Sequence, residues 1–245
     1  MSRDADWGQR AGAYSVSAAH RSGESLAVLA EFASGRHYRW AVDVGTGVGF
    51  TAFAVAPYCD LVLATDSAPG MLEEARREAA RRKVGNVGLA VAVAEALPFA
   101  PGSLPLVTCR TAAHHFRDLE AAVREWYRAL EPGGTLLLAD TVTPEDPETA
   151  RWMNDVELRR DPTHVYDLRP SEWLALLERH GFQVASTALT DSWVARTGVA
   201  PEEAAKLRKD FLEAPAPIRG AFAIRQEQGQ LRFRWDCLVV RAEKW

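Results

Sequence analysis

The chain has 245 residues, 47% of them hydrophobic, enough to bury the core of one domain with embellishments. Its 29 basic and 33 acidic residues leave a net charge of −4 without any Lys/Arg block, which disfavours a nucleic-acid substrate. Cys59, Cys109 and Cys237 are odd in number and far apart, so neither a disulfide frame nor a structural zinc is expected. Met1 to Arg10 is polar and no apolar stretch reaches membrane-span length, and the expectation is a soluble, cytoplasmic protein with no membrane partner.

In chain order, residues 1–39 read as helical and mixed, a candidate N-terminal helical cover. Trp40 to Val44 is an apolar run that predicts a buried strand, and Phe50 to Ala56 the helix after it. Asp60 to Asp66 predicts a second strand, with Ser67 as N-cap of a helix over Met71 to Arg82. In that helix Arg76, Arg77, Arg81 and Arg82 interleave with Glu73, Glu74 and Glu78, the pattern of a solvated face. Val87 to Ala94 and Leu104 to Arg110 are further strands, the latter introduced by Pro101, Gly102 and Ser103. Asp118 caps a helix whose Leu119, Ala122, Val123, Trp126 and Leu130 form one apolar stripe. Pro132-Gly133-Gly134 stops it before a fifth strand, Thr135 to Ala139. Ser171 is placed to cap Glu172 to Arg179, Gly181 ends that helix, and Phe182 to Leu189 and Leu231 to Val240 supply two last strands.

Regular β–α alternation predicts an α/β fold, a mostly parallel sheet with helices on both faces, as one domain over residues 1–245. Residues 1–39, 141–170 and 191–230 break the alternation. Ligands of such sheets bind outside the carboxyl ends of the strands, so 1–39 and 141–170 are the candidate covers, the latter an insertion or lid over the acceptor site. Trp152, Met153, Val156 and Tyr166 in 141–170 are costly to leave in water.

Val42-Asp43-Val44-Gly45-Thr46-Gly47-Val48-Gly49 carries the chemistry. Three glycines let the chain turn sharply and a ligand approach closely. Asp66, at the end of the next strand, is placed to accept both hydroxyls of a ribose, so the pair implies a nucleoside-containing cofactor. The third glycine comes one residue too early for the dinucleotide fingerprint, and Phe50 stands where that motif wants glycine. No lysine has a tyrosine four residues before it, which further disfavours an NAD-dependent short-chain reductase.

Together with Ala64-Thr65-Asp66-Ser67, Ala94-Glu95-Ala96-Leu97-Pro98-Phe99, Arg110-Thr111-Ala112-Ala113-His114-His115-Phe116 and Arg128 to Thr135, this turn resembles the class I S-adenosylmethionine (SAM) methyltransferases. Within them it resembles the ubiquinone/menaquinone-biosynthesis methyltransferase-like (methyltransferase type 11) group. Tyr14, Ser17, His20 and Gly23, with Arg160-Asp161-Pro162-Thr163-His164-Val165, resemble a bacterial small-molecule subgroup. The resemblance implies a Rossmann-like seven-stranded sheet of order 3-2-1-4-5-7-6 with strand 7 antiparallel. It implies SAM as cofactor and S-adenosyl-L-homocysteine as product. Asp43, Gly45, Thr46 and Gly47 would line the methionine moiety and Asp66 would bind the ribose. Ser67 and Met71 would flank the adenine, Ala94 and Glu95 would meet its edge, and Arg110 and Thr111 would lie beneath the cofactor. Many relatives have Asp where this chain has Val93, which leaves the partner of the adenine amine open.

Methyl transfer from a sulfonium is an in-line displacement, so alignment and desolvation are the protein's main tasks. A base is needed only for acceptors that hold their proton tightly, and histidine suits that role near neutral pH. His115 and His164 are the candidate acceptor-site residues, while His20 and Tyr14 are placed with the cofactor. His114 and His115 are not read as a metal site, since adjacent side chains diverge and no third ligand is suitably spaced. Tyr14, Trp152, Tyr166 and Trp193 could stack on a planar, aromatic or quinone-like acceptor or face the sulfonium. Trp40, Trp126, Trp173 and Trp235 read as core. The expected activity is small-molecule C- or O-methylation; a SAM-binding regulatory or scaffolding protein without turnover is the alternative.

Overall fold

The computed structural model describes Trp7, Ala11, Gly12 and residues 22–194 and 200–245. Tyr14 and His20 lie outside the described residues, as does the side chain of Trp193. The elements are α1 (Glu24–Ser34), β1 (Tyr38–Val44), α2 (Phe50–Val55), β2 (Cys59–Asp66), α3 (Pro69–Arg82), β3 (Val87–Val91), β4 (Leu104–Arg110), α4 (Leu119–Ala129) and β5 (Leu130–Val142). They continue with α5 (Pro147–Arg160), α6 (Pro170–Arg179), β6 (Phe182–Val194), α7 (Pro201–Glu213), α8 (Ala216–Ala221), β7 (Arg225–Glu227) and β8 (Gln230–Lys244). Strand order is β3-β2-β1-β4-β5-β8-β6, with β8 antiparallel to β5 and β6. This is the expected order with one addition: short β7 forms a hairpin with β8, so the antiparallel strand is the eighth. Among the described residues no helix is long and apolar enough to cross a membrane.

Two cores follow from the alternation of side chains along each strand. Leu136 and Leu138 of β5 point to one face, where they meet Val123 and Trp126 of α4 and Trp173 and Leu177 of α6. Leu137 and Ala139 point to the other, against Leu29 and Ala33 of α1 and Ala52 and Val55 of α2. Every residue of β4 is buried, as expected for a central strand covered on both faces. All three cysteines are buried and free.

Helix starts differ from the sequence expectation where a neighbouring side chain competes. Asp118 caps α4 through Ala121 N, but Ser67 does not cap α3. Asp66 Oδ1 accepts from Ala68 N at 2.9 Å, Ala68 becomes the N-cap, and Pro69 opens the helix. Ser171 bonds Glu145 instead of capping α6. There Glu172 accepts from both the backbone N and Nη2 of Arg169, at 2.9 and 2.6 Å.

The covers are built differently from expectation. Helix α1 lies in the helical layer against the sheet and is no cover. Residues 141–170 are no free-standing lid: β5 runs on to Val142, and α5 packs into a third apolar cluster. That cluster joins Met153 and Val156 of α5 with Leu207 and Phe211 of α7, Ile218 of α8 and Phe233 and Trp235 of β8. Trp152 stacks on Phe222 and meets Phe211 edge-on, so it is committed to this cap. Trp235, read as core, is 3% exposed within it.

Candidate functional site

The first strand ends in a turn whose geometry only glycine tolerates. Gly45 has φ +63°, and a Cβ there would stand 2.7 Å from Ala112 Cβ. Gly49, at φ +92°, would meet the Phe53 ring at 2.5 Å. Gly45→Ala combines a left-handed backbone, worth about 1–2 kcal/mol, with backbone displacement toward β4. We expect a lowered melting temperature and weakened nucleoside binding; a variant that melts and binds like the parent would contradict this reading of the turn.

Two acids hold the turn. Asp43, at the end of β1, is 1% exposed and accepts from Thr46 and Thr108 hydroxyls, each at 2.5 Å. It therefore sits under the turn as a brace and does not line the cavity as expected. Asp66 Oδ2 accepts from Gly47 N at 2.8 Å, while the carboxylate also forms part of the cavity wall. A carboxylate can accept about four hydrogen bonds, more than the two backbone donors named here.

Burial pushes the Asp43 carboxyl up to about 6, against the lowering effect of the Thr108 and Thr46 hydroxyls and of Arg110. Between the ordinary 3.8 and 6 the folded chain holds a proton that the unfolded chain has released. Asp43's contribution to stability is thus full below 3.8 and lost as pH rises through 6. Lowering pH from 6 to 5 should recover about 1 kcal/mol through this group. Chemical denaturation across that range should show this slope in the parent and its loss in Asp43→Asn; equal slopes would refute the assignment.

A cavity of about 330 Å³ opens at the carboxyl ends of β1, β2 and β4. Its lining includes Gly45, Thr46, Gly47, Asp66, Ser67, Met71, Ala94 and Glu95. Buried Met71 offers an apolar wall, and Glu95 is the carboxylate beside Val93 there. Arg110 and Thr111 line the floor at the end of β4. Arg110 is 7% exposed, and its Nε donates to Ser25 Oγ at 3.2 Å. Thr111 has φ +48°, a sparsely populated conformation for a β-branched residue that concentrates at functional sites.

The lining also includes His115, Phe116, Arg117, Thr163 and Trp7. After β4 the chain makes a 3₁₀ turn over Ala113–His115. His115 Nδ1 lies 3.1 Å from the carbonyl of Thr163. A carbonyl only accepts, so Nδ1 carries the proton and Nε2 keeps a free lone pair. Burial, and then the charge on His114, push the His115 pKa well below 6.5, so the ring stays neutral. His114 points away from the cavity onto Asp140, with Nδ1 2.6 Å from Oδ1 and its backbone N donating to Oδ2 at 2.9 Å. Burial opposes a charge on His114, but Asp140 outweighs it and holds the pKa at about 9. The two rings do not diverge: their centroids are 4.0 Å apart, because the 3₁₀ turn folds one beside the other.

His164 is not on the cavity wall. It is 2% exposed, with Nε2 3.2 Å from Asn154 Oδ1, and its chain neighbour Thr163 takes the wall position. The expected direct acceptor contact is corrected to a place behind the wall, because Val165 N and Tyr166 N bond the His114 carbonyl and turn this segment edge-on. Tyr166 is 48% exposed and outside the wall. Trp7, Arg117, Thr163 and Asp140 were missed. Asp140, a carboxylate at a strand's carboxyl end, had a readable signal; Trp7, isolated in a polar stretch, had none.

The methyltransferase-domain family model matches residues 42–138. Across 236 residues the chain is 32% identical to the uncharacterized methyltransferase YcgJ of Bacillus subtilis, covering 93% of this chain and 92% of that protein. The chain belongs to the methyltransferase family. The crystal structure of YcgJ superposes on this methyltransferase with a TM-score of 0.82 at 30% identity, over 90% of this chain and 97% of that one. The Bacillus halodurans protein BH2331 gives 0.84 at 32%, over 89% and 98%. Similarity to the demethylmenaquinone methyltransferase of Thermus thermophilus is 40% over 106 residues, 42% of this chain and 47% of that protein.

Proposed function

We propose that this methyltransferase carries a methyl group from SAM to a small-molecule acceptor that loses a proton during transfer. The carrying observation is one cavity whose lining combines Asp66, Met71 and Glu95 with His115. Gly47, where a Cβ would meet nothing within 4 Å, lines the same cavity and leaves room for a ligand to approach the backbone. When bound, SAM supplies a methyl carbon already activated by its sulfonium.

The chain's own residues then do three things. Asp66 holds the ribose hydroxyls while Gly47 N keeps the carboxylate aimed, and buried Arg110 provides a cation for the methionine carboxylate. Trp7, Phe116 and Thr163 crowd the acceptor end and exclude water from the reacting atoms. His115 Nε2 accepts the proton of the acceptor's O–H or activated C–H as the new bond to the methyl carbon forms. The Thr163 carbonyl fixes the tautomer this requires. Trp7, 4.6 Å from His115 edge-on, gives a flat aromatic or quinone-like acceptor a surface to pack on.

The test is transfer of labelled methyl from SAM to a panel of phenols, quinols and heterocycles, with SAM and NADH binding measured alongside. Saturable SAM binding with methylation of at least one class supports the proposal. SAM binding with no transfer across the panel would favour a sensor or scaffold, and tight NADH binding would overturn the reading of the glycine turn.

A further inference from the structure

Behind the acceptor wall lies a group of buried side chains that methyl transfer does not use. We propose that Glu157, His164 and Asp167 form a binding site for one first-row divalent cation of the Zn²⁺ or Mn²⁺ type. The proposal goes beyond the methyl-transfer reading and does not depend on it.

Helix α5 presents Asn154 and Glu157 three residues apart, on one face. The segment after α5 returns with His164 and Asp167, again three apart. All four are at least 95% buried. One ligand atom from each of Glu157, His164 and Asp167 lies within 4.8 Å of the others. A cation bonded tetrahedrally at about 2.0–2.2 Å holds its ligand atoms roughly 3.3–3.6 Å apart, so binding needs the widest pair to close by about an ångström, within reach of side-chain rotation. Asn154 Oδ1, 3.2 Å from His164 Nε2, stands close enough to take a fourth position.

The second observation is Asp167 itself. It is 1% exposed, and neither carboxylate oxygen has a hydrogen-bond partner. The nearest cationic candidate, His164 Nε2, stands 3.8 Å away. A buried carboxylate without donors is costly, and the cost is relieved by a proton or by a cation. Glu157 already accepts Arg160 through Nε and Nη2, at 2.6 and 2.5 Å, and the Trp235 indole at 2.9 Å. Oε1 takes both Arg160 Nε and the indole, whereas Oε2 takes only Arg160 Nη2 and keeps a second lone pair, so Glu157 can retain these donors and ligate through Oε2. Two carboxylates beside one guanidinium leave a negative charge for a dication to neutralise. Nitrogen with carboxylate and amide oxygens suits Zn²⁺ or Mn²⁺ better than a thiolate-seeking metal.

A cation here would tie α5 to the segment that holds Thr163, whose carbonyl sets the His115 tautomer. Its place is therefore structural, one layer behind the reacting atoms.

The test uses the full chain after chelation, titrated calorimetrically with ZnCl₂ and melted with and without it. One equivalent should bind with micromolar or tighter affinity. At a hundredfold excess over the dissociation constant, the melting temperature should rise by about 5 °C or more. Asp167→Asn should weaken binding at least about 100-fold and abolish the Zn²⁺-dependent rise. Its metal-free form should melt no lower than the metal-free parent, since the unpartnered charge is gone. His164→Ala should likewise lose binding, whereas His37→Ala, at an exposed His–Asp pair, should retain it. No saturable binding by the chelated parent, an undiminished Zn²⁺ shift in Asp167→Asn, or loss of binding in His37→Ala would each overturn the proposal. If His164→Ala does not fold, the parent and Asp167→Asn decide the matter.

Discussion

Replacing His115 with alanine should lower turnover of a proton-bearing acceptor by roughly 10²–10⁴-fold, the ordinary contribution of a positioned general base. SAM affinity should stay within about twofold, because the role proposed for His115 is with the acceptor's proton and not with the cofactor. The split between turnover and cofactor binding separates a base from a packing residue, which would lower both by unsettling the wall. His115→Gln refines the measurement: its amide fills part of the space and bonds the Thr163 carbonyl, yet takes up no proton. Turnover close to the parent's in both variants would remove His115 from the chemistry and leave alignment alone as the source of rate.

Asp66→Ala should weaken SAM by roughly 10- to 200-fold. That range corresponds to about 1.5–3 kcal/mol for a hydrogen bond to a charged group, at tenfold per 1.4 kcal/mol. A smaller loss of stability accompanies it, because Asp66 also receives Gly47 N and Ala68 N. Asp66→Asn keeps one acceptor oxygen and should fall between parent and alanine variant. Calorimetry with S-adenosylhomocysteine and a parallel melt distinguishes lost contact from lost fold. Unchanged affinity in a folded Asp66→Ala protein would mean that the ribose is held elsewhere.

The cofactor half of the cavity was readable because its determinants are close in sequence. Gly45 and Gly47 follow β1 directly, Asp66 ends the adjacent parallel β2, and Val44 of β1 stands opposite Thr65 of β2. Backbone turn and carboxylate are thus brought together by register alone. The acceptor half was less readable. Its residues come from Trp7, the segment after β4 and the segment after α5, and no periodicity records which of them meet. His164 illustrates the difficulty: a histidine beside a turn looks chemically available, and only the bonds from Val165 and Tyr166 to His114 show that Thr163 has the wall. The same holds for 191–230, which has no strand or glycine signature of function. Its Leu207, Phe211 and Ile218 complete the cluster that fixes α5.

The chain alone specified the alternating α/β plan, the buried strand β4, the glycine turn, the Asp66 carboxylate at the end of the neighbouring strand and the departure from a dinucleotide spacing. These rest on local rules: side-chain period, turn conformation, and residue separations that span one strand–helix unit. Which histidine faces the acceptor, that Asp43 braces the turn from below, and that Glu157, His164 and Asp167 converge were settled by packing between segments distant in sequence. Burial there is set by what each side chain meets across the fold. A buried carboxylate such as Asp167 looks in sequence like any solvated one.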